Sequence, residues 1–104
     1  MLLLETDKIS RELFNAIDEN DVYKVKTILL SSKVLQHNFD YYEKDEQPIL
    51  HYCCLKGNLE LVKLFVQMGA NQYVPNRFGW LPLHVAIYLE FKDITQYLLN
   101  LSND

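Results

Sequence analysis

The feature that most constrains this chain is a repetition. The pair Leu50-His51 returns as Leu83-His84, 33 residues later. At the same offset Cys53 falls on Ala86 and Leu61 on Ile94. A fixed period of this length is the mark of stacked supersecondary units, each too small to bury its apolar face alone. Within residues 48–70 two short apolar runs flank Lys56-Gly57-Asn58, and Gly69-Ala70 closes the unit. The spacing therefore predicts a helix, a tight reversal, a second helix and a stop. Gly57 ends the first helix, Asn58 caps the second, and Gly69 supplies the left-handed terminator.

The remaining chain reads in the same way. Residues 1–31 give a first helix pair. Leu13, Phe14, Ala16 and Ile17 lie in a helix begun near Thr6 or Ser10, and Asn20-Asp21 reverses the chain. Val22, Val25, Ile28 and Leu29 form one face of the next helix, with Asp21 as its N-cap. Aligning Asn20-Asp21 with Gly57-Asn58 gives an offset of 37, so four extra residues lie in the connection before Pro48. That connection carries Phe39, Tyr41 and Tyr42 among acids, and its rings either face a partner or fold back on the first pair. Residues 71–81 have no apolar period and contain the turn formers Asn76 and Gly79, which predicts a hairpin-like finger. Pro82–Leu89 and Lys92–Leu101 give the last pair.

Leu50-His51-x-Cys53, Gly57-Asn58, Leu61-Val62, Gly69-Ala70-Asn71 and Gly79-x-x-Pro82-Leu83-His84-x-Ala86 closely resemble the ankyrin repeat over roughly residues 12–101. The resemblance implies an all-α solenoid of stacked helix pairs joined by hairpin-like loops. Its units are repeat 1 at about 6–32, an inserted loop at 33–47, repeat 2 at about 48–78 and repeat 3 at about 79–104. The family's glycine-alanine stop is replaced by Ser102-Asn103, which is read as a terminal cap. The resemblance also implies that His51 and His84 hydrogen-bond backbone between neighbouring repeats. Two departures stand out. Pro48 occupies the family's threonine position in the central unit and Leu81 occupies it in the last. Pro48 is read as opening its helix, where a missing N–H costs nothing.

Composition narrows the function. The net charge is −4, with ten acids against six bases in residues 1–46 and four of each afterwards. No Lys/Arg cluster exists to meet phosphates, which argues against nucleic acid. No apolar run approaches the ~20 residues that span a bilayer. Met1-Leu2-Leu3-Leu4 meets Glu5 and Asp7 without a basic start or a long apolar core, so a cytoplasmic protein is expected. The glycines at 57, 69 and 79 are all explained by turns, which leaves no phosphate-binding loop. No nucleophile sits in a catalytic elbow. Cys53 and Cys54 are adjacent, a poor geometry for a disulfide, and stand where the family has small residues; they are expected to be reduced and buried. A thiol- or metal-dependent centre at His51, Cys53 and Cys54 is the remote alternative.

Large apolar side chains stand where the family is small or polar, and Tyr, Trp and Arg are the residues that anchor interfaces. The expected function is a non-enzymatic module that binds one protein partner through its concave face. It takes no cofactor, metal or small-molecule substrate. A ledge of roughly 30 Å accommodates about 800 Å² per partner. With nothing else attached, masking or inhibiting that partner, as immunity or antitoxin proteins do, is the leading reading, and an adaptor bridging two proteins is the alternative. The partner-facing residues expected are Phe39, Tyr41, Tyr42, Tyr52, Leu55, Lys56, Tyr73, Arg77, Phe78, Trp80 and Tyr88, with Leu50 and Leu83 as equivalent core positions.

Overall fold

The computed structural model describes residues 2–31 and 48–102. These form six helices: α1 Leu2–Asp18, α2 Val22–Ser31, α3 Ile49–Lys56, α4 Leu59–Gln67, α5 Pro82–Tyr88 and α6 Lys92–Ser102. Successive helices pair as α1/α2, α3/α4 and α5/α6. The pairs stack in register, α1 on α3 on α5 along one side and α2 on α4 on α6 along the other. Helix α1 begins earlier than the pattern near Thr6 predicts. Residues 2–18 contain neither glycine nor proline, and four leucines with Glu5 and Glu12 favour helix, so the helix extends to the start of the segment.

The core is a single stripe through the stack. Leu13, Ala16 and Ile17 of α1 meet Val25 and Leu29 of α2; Leu50, Cys53 and Cys54 of α3 meet Leu61, Val62 and Phe65 of α4; Val85 and Ala86 meet Ile94 and Leu98. Leu50 is 2% exposed, whereas its register-mate Leu83 is only half-buried. The two positions are equivalent in sequence but not in packing. Helix α5 lies against α3, and no helix among the described residues covers the corresponding face of α5.

The chain reversals follow the expected chemistry. The Asp21 carboxylate accepts from the Lys24 N–H at 3.0 Å, and the Asn58 side chain accepts from the Leu61 N–H at 3.2 Å. Gly57 ends α3 at φ 68°. A side chain is disfavoured there by the positive φ, and a Cβ on Gly57 would also lie 2.7 Å from the Phe91 ring of the next pair. The equivalent reversals use Asn20 (φ 55°) and Glu90 (φ 63°). Asn enters this left-handed region readily; for Glu the same conformation costs roughly 1–2 kcal/mol.

Pro48 corrects an expectation. It is the N-cap of α3, with no side-chain cap bond, rather than a residue of the first turn. In the last pair the N–H of Leu81, at the same register, donates to His84 Nδ1 at 2.9 Å. Proline has no N–H to offer, and the Nδ1 atom of fully buried His51 accordingly has no hydrogen-bond partner. A buried acceptor left without its donor costs about 1–3 kcal/mol.

Candidate protein-docking groove

The finger between α4 and α5 is built on the backbone of Asn76 to Trp80. The Asn76 N–H donates to the Trp80 carbonyl at 2.8 Å, and the Gly79 N–H donates to the Asn76 carbonyl at 2.9 Å. The Asn76 side-chain oxygen accepts from the N–H groups of Phe78 (2.9 Å) and Trp80 (3.0 Å). This is a closed loop rather than a ladder of paired strands. It is fastened to the preceding unit by His51, whose Nε2 lies 2.6 Å from the Trp80 carbonyl. Since a carbonyl only accepts, Nε2 carries the proton. His51 thus makes the contact between units that the resemblance implied, whereas His84 serves its own helix start. Burial, opposed by the Trp80 hydrogen bond and reinforced by His84, holds the His51 pKa below its usual 6.5.

Fastened this way, the finger turns its aromatic side chains outward. The Trp80 ring meets Tyr88 edge-on at 5.7 Å and His84 at 6.3 Å. Phe78 is 72% exposed and Tyr88 73%. Beside them lies an open groove of about 530 Å³ lined by Leu55, Phe78, Trp80, Val85, Tyr88 and Leu89, and by Asn76. A second depression shares Phe78, Trp80 and Tyr88 and extends over His84 and Ile87. Arg77 lies over the Phe78 ring, 5.1 Å from its centroid, where the guanidinium is attracted to the ring face. Rings that are exposed yet fixed through their own backbone lose little conformational freedom when a partner covers them.

Of the residues expected to face a partner, Leu55, Phe78, Trp80 and Tyr88 converge on this groove, with Arg77 beside it. Tyr52 does not. It is buried, edge-on to Phe14 at 5.2 Å, and its hydroxyl donates to the Asp18 carboxylate. It therefore ties α3 to α1 and belongs to the core. Lys56 is half-buried and approaches the same carboxylate at 3.9 Å. Tyr73 is exposed, but its hydroxyl donates to Ser102 Oγ at 3.2 Å, at the end of α6 and away from the groove walls. Phe39, Tyr41 and Tyr42 lie outside the described residues. Val85 and Ile87 escaped the sequence reading, which marks Leu89 as an apolar residue out of place on its helix and Asn76 only as a turn former. The Asn76 turn signal extends further than that reading takes it: with glycine three residues on, the Asn side chain can cap the loop itself.

The cysteines are sealed. Cys53 and Cys54 are both free and buried. Burial pushes the Cys53 thiol well above its ordinary range, with Cys54 adding to the effect, and pushes Cys54 up to about 12. A thiol held protonated and away from solvent is a packing group, not a nucleophile. His51 Nε2 is also committed to the Trp80 carbonyl.

Stacked helix pairs joined by a fixed finger define a repeat solenoid. The chain belongs to the ankyrin-repeat family: the family model described as Ankyrin repeats (3 copies) matches residues 13–104. The Notch-regulated ankyrin repeat-containing protein of Homo sapiens is 33% identical over 95 residues, covering 91% of this chain and 81% of the relative. Its Xenopus tropicalis counterpart is 32% identical over 99 residues, covering 95% and 87%. Protein phosphatase 1 regulatory subunit 27 of Mus musculus is 35% identical over 88 residues, covering 85% of this chain and 55% of that protein. Among solved structures, one similar chain comes from the Bd0816 predatory endopeptidase of Bdellovibrio bacteriovorus in complex with immunity protein Bd3460. The TM-score is 0.72 at 22% identity, covering 86% of this chain and 45% of that one, a likeness of fold alone. Ankyrin repeats mediate protein–protein interaction.

Proposed function

We propose that this chain is a stoichiometric protein-binding module without catalytic activity of its own, which engages one partner through the finger-side groove and thereby masks or inhibits it. The observation that carries the reading is the pairing of exposed rings with a fixed backbone. Phe78 and Trp80 are exposed while Asn76 and His51 hold the loop that bears them, and Tyr88 is exposed beside them at the end of α5. Such rings add little to the fold, and aromatic anchors of this kind dominate interface energetics. The reading gains support from the regulatory subunit among its relatives and from the fold likeness to a chain of an immunity-protein complex. The sealed, protonated thiols weigh against the thiol-dependent alternative.

The test is stoichiometry followed by activity. The tagged chain is used to isolate its complex from its own cells, and the mass of the intact complex is measured. A 1:1 complex in which the partner's activity falls in proportion to added chain supports inhibition. A ternary complex with both partners active replaces it with the adaptor reading.

A further inference from the structure

Residues 64–89 contain a single formal charge, that of Arg77. They run from α4 through the finger and α5, and supply every described lining residue of the two depressions except Leu55. Arg77 is exposed, and its guanidinium lies 5.1 Å from the centroid of the Phe78 ring, which lines both depressions. Among the described residues no carboxylate lines either one. The acids of this half of the chain stand elsewhere. Glu60 and Asp93 lie in the first turns of α4 and α6, on the other row of the stack, and Glu90 lies in the reversal after α5. The other cation of the groove-side helices, Lys56, approaches the Asp18 carboxylate of α1. A chain of net charge −4 thus edges its apolar groove with a cation.

Arginine cannot shed its charge, and a partner that covers the Phe78 ring also covers the guanidinium lying over it. Taking that charge out of water costs free energy unless acceptors replace the water. A carboxylate does this best, through paired N–H···O bonds to the planar fork. Five N–H donors let an arginine hold such a group together with contacts inside its own chain. We infer that Arg77 is a specificity residue of the groove, and that the docked protein segment carries an Asp or Glu beside its aromatic or large aliphatic anchor. The inference rests on the groove being the partner site. The chain's overall negative charge opposes an acidic partner at long range, and is screened beyond about 8 Å at physiological salt. The carboxylate is therefore recognised at contact and not by steering.

The experiment selects a random peptide library displayed on phage against the intact chain and, separately, against its Arg77→Glu variant. The best-enriched peptide is synthesised with its acidic residue and with the corresponding amide. Both forms are titrated against the parent chain, Arg77→Gln and the double variant Phe78→Ala/Tyr88→Ala. Expected is an enriched aromatic or large aliphatic residue flanked by Asp or Glu, a preference that Arg77→Glu abolishes or turns towards Lys and Arg. The parent should bind the carboxylate form roughly threefold to tenfold more tightly than the amide form, and Arg77→Gln should not tell the two apart. An arginine that merely supports the Phe78 ring would give a different cycle: Arg77→Gln would weaken both forms alike and keep the parent's preference, which overturns the inference. The parent's own comparison needs no variant to fold, and equal affinity for the two forms overturns the inference as well. Enriched peptides that need Phe78 and Tyr88 but show no acidic preference do the same and leave the groove reading standing. Peptides indifferent to those two rings, or no enrichment at all, overturn both.

Discussion

Replacing Pro48 with alanine should stabilise this protein, although losing a proline ordinarily does the reverse. The backbone at Pro48 (φ −58°, ψ 151°) is close to that at Leu81 (φ −87°, ψ 161°). An N–H at position 48 would therefore aim at His51 Nδ1 as the Leu81 N–H aims at His84 Nδ1, where the bond is 2.9 Å. Supplying that donor recovers about 1–3 kcal/mol. The freer unfolded chain takes back about 0.4–1 kcal/mol. The net gain is about 1 kcal/mol, a rise in Tm of roughly 4–8 °C for a chain of this size. Pro48→Thr adds an N-cap hydroxyl, worth about 0.5–2 kcal/mol more. Urea unfolding followed by circular dichroism reads both variants, and repeating Pro48→Ala in a His51→Ala background completes the cycle. The gain should disappear without the imidazole. A Pro48→Ala protein that is less stable by the same amount in both backgrounds would refute the assignment of the missing donor.

Three further outcomes follow from the packing and the charges. Leu50→Ala should cost about 2–5 kcal/mol, with a smaller loss at half-buried Leu83; equal losses would contradict the uncovered face of α5. Cys53 and Cys54 should resist an aromatic disulfide reagent in the folded protein and react only as fast as the chain opens, and prompt labelling of either would show them accessible. Because the folded His51 pKa lies below its usual 6.5, the unfolded chain binds the proton first as pH falls. Stability should be fully present above about pH 6.5 and decline below it, and the decline should lessen when His51 is replaced.

The register was legible in the sequence because it rests on repetition and local signals. The 33-residue offset placed α3 on α5, and Asp21, Asn58, Gly57 and Gly69 marked helix ends through bonds made within a few residues. What escaped depends on contacts made far along the chain. Tyr52 reads as an exposed aromatic until Asp18 and Phe14, on another helix, claim its hydroxyl and ring. Tyr73 was placed in the finger by sequence, but its hydroxyl goes to Ser102, 29 residues on. Lys56 is drawn to Asp18 in the same way. Leu83 matches Leu50 in register and differs from it because burial is set by the neighbouring helix. The consequence of Pro48 was within reach of the sequence, since aligning it with Leu81 already removes the donor that a buried histidine needs.

The most direct test of the account measures folding and binding of the Phe78→Ala/Tyr88→Ala double variant against the partner isolated with the unaltered chain. Both rings are more than two-thirds exposed, so the unfolding midpoint should stay within about 0.5 kcal/mol of the parent. Affinity should fall at least about thirtyfold, the effect of losing an interface anchor worth about 2 kcal/mol. Full-strength binding by the folded double variant would contradict the account and move the site to another face of the stack.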